Sequence, residues 1–163
     1  MTTKILVVSD DGIASGFGRI SMTLNAALVK RGYHIMAASV QYDGLLPPTY
    51  ENAPLPYWVA ALGGKNWPDE VAKIASVYQP DVIMCIQDAP YGLALRNLPL
   101  DWSKLVFVNI TPVDGWPIHP SWVDMMRKAD AALTISEFGV EAYRQAGVQV
   151  GLCRPGIDPD VFY

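Results

Sequence analysis

The sequence predicts an α/β domain, a Rossmann-like three-layer sandwich around a mainly parallel sheet. Short apolar runs recur along the chain, amphipathic stretches at helical spacing lie between them, and polar segments with Gly or Pro follow the runs. Unbroken apolar runs are what strands buried on both faces of a parallel sheet require, and the stretches between them supply the crossovers.

The runs at 5–8, 35–38, 82–86, 105–108 and 131–135 read as central strands, and 57–61 and 148–153 as weaker ones. Between the first two runs, Ile20, Leu24, Ala27 and Leu28 recur at helical spacing and Lys30-Arg31-Gly32 supplies a cationic last turn with a glycine stop. A helix over about 18–31 follows. Pro68-Asp69-Glu70 opens a second helix that Gln79-Pro80 closes, with Val71, Ile74 and Tyr78 on one face. Ser121, with Asp124 three residues on, is a capping-box-like start, and Ser136-Glu137 opens a last helix that Gly147 ends. Residues 42–56, with four prolines, form a long irregular excursion.

Composition narrows the function. The 163 residues, 51% of them hydrophobic, suit one domain over 1–163. A net charge of -4 without basic clusters leaves nothing to neutralise phosphates, so nucleic acid is not an expected partner. No apolar segment is long enough for a signal-peptide core or a transmembrane span, and a cytoplasmic protein is expected. Cys85 and Cys153 sit among apolar neighbours and read as buried thiols rather than metal ligands.

In an open parallel sheet ligands bind beyond the carboxyl ends of the strands. After the first run stands Ser9-Asp10-Asp11-Gly12-Ile13-Ala14-Ser15-Gly16-Phe17-Gly18-Arg19, whose glycines permit close backbone approach before a helix N-terminus. That arrangement suits a diphosphate or an anionic sugar substituent, or is an ordinary flexible turn; the third glycine and the acidic residue of a dinucleotide fingerprint are missing. After later runs stand Gln87-Asp88-Ala89-Pro90-Tyr91-Gly92 and Thr111-Pro112-Val113-Asp114-Gly115-Trp116, so Asp88 and Asp114 face one edge. They either bind sugar hydroxyls or a cationic group, or stabilise their own turns. Trp116 and Trp122 either stack on a sugar or clamp the loop. His119, between Ile118 and Pro120, reads as a loop histidine without catalytic duty.

Four segments together resemble the N-terminal domain of retaining GT-B glycosyltransferases of the family-four type. They are Ser15-Gly16-Phe17-Gly18, Thr111-Pro112-Val113-Asp114-Gly115, Ser136-Glu137-Phe138-Gly139 and Pro155-Gly156-Ile157-Asp158, with Phe162 beyond. The resemblance implies transfer of a sugar from a nucleotide diphosphate sugar to an acceptor, with no tightly bound cofactor and no metal. It implies donor contacts from Gly16, Phe17, Gly18 and Arg19, and acceptor contacts from Asp88, Asp114 and Trp116. Ser136, Glu137, Gly156 and Asp158 would border the cleft toward a second, nucleotide-sugar-binding domain expected beyond Tyr163. Without that domain the chain is expected to be nearly inert and to self-associate weakly. Two departures stand out: Thr111-Pro112 leads to Asp114 where many relatives carry a histidine, and Pro155 replaces the Asn or His that often precedes the Gly-Ile-Asp turn. Two other readings use the same residues. A stand-alone sugar- or nucleotide-binding module would need no second domain. A phosphorelay receiver fits Asp10, Asp11, Asp88 and Thr111, but lacks a lysine after the last core strand.

Overall fold

The computed structural model describes residues 2–50, 53–64 and 66–156. Its elements, in chain order, are β1 (Lys4–Ser9), α1 (Gly16–Lys30), β2 (His34–Ser39), β3 (Thr49–Tyr50), β4 (Ala53–Pro54), β5 (Trp58–Ala61) and α2 (Trp67–Tyr78). There follow β6 (Val82–Ile86), α3 (Ala89–Arg96), β7 (Val106–Thr111), α4 (Pro120–Arg127), β8 (Ala131–Thr134), α5 (Glu137–Gln145) and β9 (Gly151–Leu152). Seven strands form one sheet in the order β5-β2-β1-β6-β7-β8-β9, and each neighbouring pair is parallel. β3 and β4 pair as a small antiparallel ribbon inside the excursion.

Strand order explains where the helices lie. The chain runs outward from β1 to β2 and β5, then returns through α2 to β6 on the other side of β1 and continues to β9. Parallel crossovers are right-handed, so reversing the direction of travel moves the helices to the opposite face. Leu6, Val8, Ile83, Cys85 and Phe107 accordingly pack with α2, α3, α4 and α5 on one face. Ile5, Val7, Ile35, Met84, Ile86 and Ile110 form the core of the other face with Phe17, Ile20, Leu24 and Leu28 of α1. Burying each such aliphatic side chain contributes about 1.5–3 kcal/mol before chain entropy opposes it. Among the described residues α1 is the helix on that second face, so Val108, Leu133 and Ile135 over β7 and β8 are only half-buried.

Several local expectations change. α1 begins at Gly16, two residues early, because the Ser15 side chain accepts a hydrogen bond from the Gly18 amide at 2.9 Å and caps the helix there. Residues after Asp88, to which the sequence pattern assigns no element, form the helix α3: Pro90 fits the first turn, where no amide hydrogen is needed. α4 starts at Pro120 rather than Ser121, and its cap is His119, whose Nδ1 accepts from the Ser121 amide at 3.3 Å. The weak run at 148–153 shrinks to the two-residue strand β9. Cys85 is fully buried, and burial pushes its thiol up to about 12; Cys153, expected to be buried as well, is half-buried beside the α1-side core.

One buried knot ties the excursion to the sheet. Asp11, fully buried, accepts hydrogen bonds from Ser21 Oγ at 2.5 Å, Asn25 Nδ2 at 3.0 Å and Tyr57 Oη at 2.5 Å. One side chain thus joins the loop after β1, the body of α1 and the entry to β5. Burial raises the Asp11 carboxyl above its ordinary range, opposed by these three donors, and burial together with the Asp11 charge raises the Tyr57 phenol. Replacing Asp11 by Ala removes the acceptor of three donors, of which Asn25 retains Ser21 Oγ and Tyr57 is part-buried, and the loss of stability is expected to be about 2–4 kcal/mol in urea melts. Asp11→Asn keeps one acceptor oxygen and should lose less than half of that amount. Equal losses in the two variants would contradict this account of the knot.

Candidate functional site

The strand order reverses between β1 and β6, and the carboxyl ends of these two strands are where an open α/β sheet forms its ligand crevice. Here the crevice floor is bridged by side chains. Ser9 Oγ donates to the Ile86 carbonyl at 2.9 Å, and Gln87 Nε2 donates to Asp10 Oδ1 at 2.7 Å. Ser15 Oγ donates to Asp10 Oδ2 at 3.2 Å while accepting from Gly18, so one chain of hydrogen bonds runs from the end of β6 to the first turn of α1. Asp10 and Gln87 are almost wholly buried. Burial raises the Asp10 carboxyl, the Ser15 and Gln87 hydrogen bonds oppose that shift, and the Asp88 charge adds to it. Asp10 and Asp11 enter the sequence reading only as the acidic pair of a phosphorelay receiver, and Gln87 and Tyr57 are not selected as site residues. The signal available was a polar residue directly continuing an apolar strand.

The glycines before α1 divide into two kinds. Gly18 is buried, and a Cβ there would lie 2.5 Å from the Ile13 carbonyl oxygen and 2.6 Å from that of Asp10, so its lack of a side chain lets the helix seat on the loop. Gly16 is exposed with open space where a Cβ would stand, leaving the helix end approachable from solvent. Phe17 instead packs into the α1-side core. Arg19 is exposed on the first turn. Of the four residues expected at the donor, Gly16 and Arg19 are thus available to a ligand, while Phe17 and Gly18 hold the helix in place.

Asp88, Asp114 and Trp116 come together. They line a cavity of about 380 Å3 with Pro112, Trp122 and Tyr143 among its other walls. Asp88 occupies the residue before α3, yet its carboxylate makes no capping hydrogen bond to that helix. Burial, followed by the Asp114 charge, raises its pKa. Trp116 is half exposed, whereas Trp122 is packed into the core and stands 5.8 Å from the His119 ring, centre to centre. His119 itself is used as a helix cap.

The residues expected at an interdomain cleft are dispersed in role. Ser136 caps α5, accepting from the Gly139 amide at 3.1 Å, and Glu137 is ion-paired with Arg154. Gly156 is exposed, and Asp158 lies outside the described residues, as do Ile157 and Phe162. Among the described residues no group of three or more His, Cys, Asp or Glu is placed to hold a metal ion, and no helix is long and apolar enough to cross a membrane. A second cavity, of about 560 Å3, lies beside the starts of β2 and β5, away from the carboxyl edge.

An α-glucosyltransferase in complex with UDP superposes on this chain with a TM-score of 0.54 at 11% identity, covering 97% of this chain and 45% of that one. The chain has a glycosyltransferase-like fold. An α-glucosyltransferase in complex with UDP and a 13-mer DNA containing an HMU base gives the same TM-score at 13% identity, over 97% of this chain and 44% of that one. The chain therefore spans less than half the length of these structures. No family model and no curated protein matches the sequence.

Two outcomes test this description. Gly18→Ala should destabilise the chain by about 1–3 kcal/mol, because backbone carbonyls cannot yield to the new methyl group, whereas Gly16→Ala should leave the melting temperature within a degree or so. Asp88→Asn should raise the melting temperature at pH 7. The folded-state pKa of Asp88 lies above its unfolded value, so ionised Asp88 opposes folding above the folded pKa, and the gain should vanish once the pH falls below the unfolded pKa of about 3.9. A gain that grew on acidification would reverse the assignment.

Proposed function

We propose that this chain is the N-terminal, acceptor-side domain of a retaining glycosyltransferase that moves a sugar from a nucleotide diphosphate sugar to an acceptor. The observation that carries the reading is the 380 Å3 cavity at the carboxyl edge of the sheet, with Asp88, Asp114 and Trp116 in its wall, on a fold shared with UDP-bound α-glucosyltransferases. In this reading the first turn of α1, with Gly16 open and Arg19 exposed, meets the donor diphosphate. Free amides at a helix start favour an anion, and a nearby guanidinium adds to that preference.

The acceptor lies in the cavity, its reacting hydroxyl turned toward the donor. A second domain beyond Tyr163 supplies most of the nucleotide pocket and closes the cleft. Closure matters because alignment of donor and acceptor, together with charge stabilisation at the leaving diphosphate, supplies most of the rate of such transfers. The half-buried face over β7 and β8, with Val106 exposed on it, supports weak self-association of the chain by itself.

Although one structural neighbour holds DNA, no Lys, Arg or His lines this cavity, which supports an acceptor without phosphates. The stand-alone binding module draws no specific support from the cavity, which is also what a transferase needs.

UDP-glucose titrated into the isotope-labelled 163-residue chain tests the reading by NMR. The expected result is a millimolar affinity with amide shifts centred on Gly16 and Arg19, and no sugar transfer to added acceptors. Shifts confined to other regions, or robust turnover by the chain alone, would overturn it.

A further inference from the structure

The cavity at the carboxyl edge is charged in one direction. Asp88 and Asp114 both reach its wall, and neither carboxylate has an ion-pair or side-chain hydrogen-bond partner among the described residues. Asp10 does not line the cavity, although the Asp88 charge acts on it. The remaining wall is apolar or aromatic: Pro112, Trp116, Trp122 and Tyr143 contribute surface but no positive charge.

Elsewhere on the surface, several acidic groups are matched by cations, while Asp43, Asp81 and Asp130 accept from backbone amides. Glu70, Asp101, Asp124, Glu137 and Glu141 each pair with a Lys or Arg. Two unmatched carboxylates facing one concavity repel each other, and a cation between them relieves that repulsion while gaining a hydrogen bond to each. Trp116 presents an exposed aromatic ring beside them, and a ring face attracts a cation as well as the C–H face of a sugar.

We propose that the acceptor taken by this cavity is cationic: a sugar-sized polyol carrying a protonated amine, held through its ammonium group by Asp88 and Asp114 and through its ring by Trp116. A volume of about 380 Å3 falls at the small end of the range for ligand pockets and suits one such ring rather than a polymer strand. The same arrangement disfavours phosphorylated and carboxylated acceptors, whose charge would meet two carboxylates with no counter-ion at hand. The inference rests on reading the cavity as the acceptor side, but the charge argument concerns binding alone and needs no transfer reaction.

The test is an NMR titration of the labelled chain at pH 7 and low salt with glucosamine, glucose, N-acetylglucosamine and glucuronate. Glucosamine is expected to bind about tenfold more tightly than glucose, since an exposed ion pair or cation–π contact each adds a few-fold. Its shifts should centre on Asp88, Asp114 and Trp116. N-acetylation should erase the preference, and glucuronate should bind most weakly. Asp88→Asn and Asp114→Asn should each bring the ratio of glucosamine to glucose affinity toward one, and a ratio unchanged in both variants would overturn the charge selection. If all four sugars shift the cavity equally, the acceptor reading survives and the charge selection is wrong. If none shifts it, the acceptor reading and this inference fail together.

Discussion

The right-handedness of parallel crossovers is the constraint from which the rest of this structure follows. Because the chain moves outward from β1 to β5 and then returns to β6, its helices must change faces, and the two crossovers that leave β1 and β6 part in opposite directions. At the carboxyl edge their first residues meet, bridged by the Ser9–Ile86 and Gln87–Asp10 hydrogen bonds. The open end of α1 and the residues around Asp88 border this junction from its two sides. No single motif creates this arrangement; chirality and strand order do.

A carboxyl edge of this kind exposes strand ends whose polar groups need partners, and the chain supplies them internally. Asp10, Gln87 and Ser15 knit the β6 end to the α1 start, and Asp11 knits α1 to the entry of β5. Buried carboxylates are tolerated here because each accepts several hydrogen bonds, although burial still raises their pKa values. Asp88 and Asp114 lie just outside this satisfied layer. Their carboxylates have no such partners, and that contrast separates the residues that hold the site from those facing its cavity.

Much of the fold was legible because it depends on local pattern. The apolar runs at 5–8, 35–38 and 82–86 became β1, β2 and β6, and the helical spacing of Ile20, Leu24 and Leu28 marked the buried face of α1. Ser136 was recognisable as a cap from its place before an amphipathic stretch. α3 was not, because Ala89-Pro90-Tyr91-Gly92 has too few apolar positions to display a period, and its helical state is stabilised by packing on β6, β7 and α4. His119 displaced Ser121 as the cap of α4, since Pro120 fits the first helical position.

At the site, the sequence by itself determined which residues stand at the ends of strands, because the apolar runs mark where strands stop and the polar residues after them are then at the carboxyl edge. That placed Asp88, Asp114 and Trp116 as candidates. Only the tertiary structure decided which of them share a cavity, that Gly18 serves packing while Gly16 is open, and that Asp10 is consumed by internal hydrogen bonds whereas Asp88 is not. The physical reason is range: strand and helix periodicity are set by neighbours a few residues apart, whereas burial, charge pairing and free volume depend on groups brought together from as far as 77 residues away along the chain.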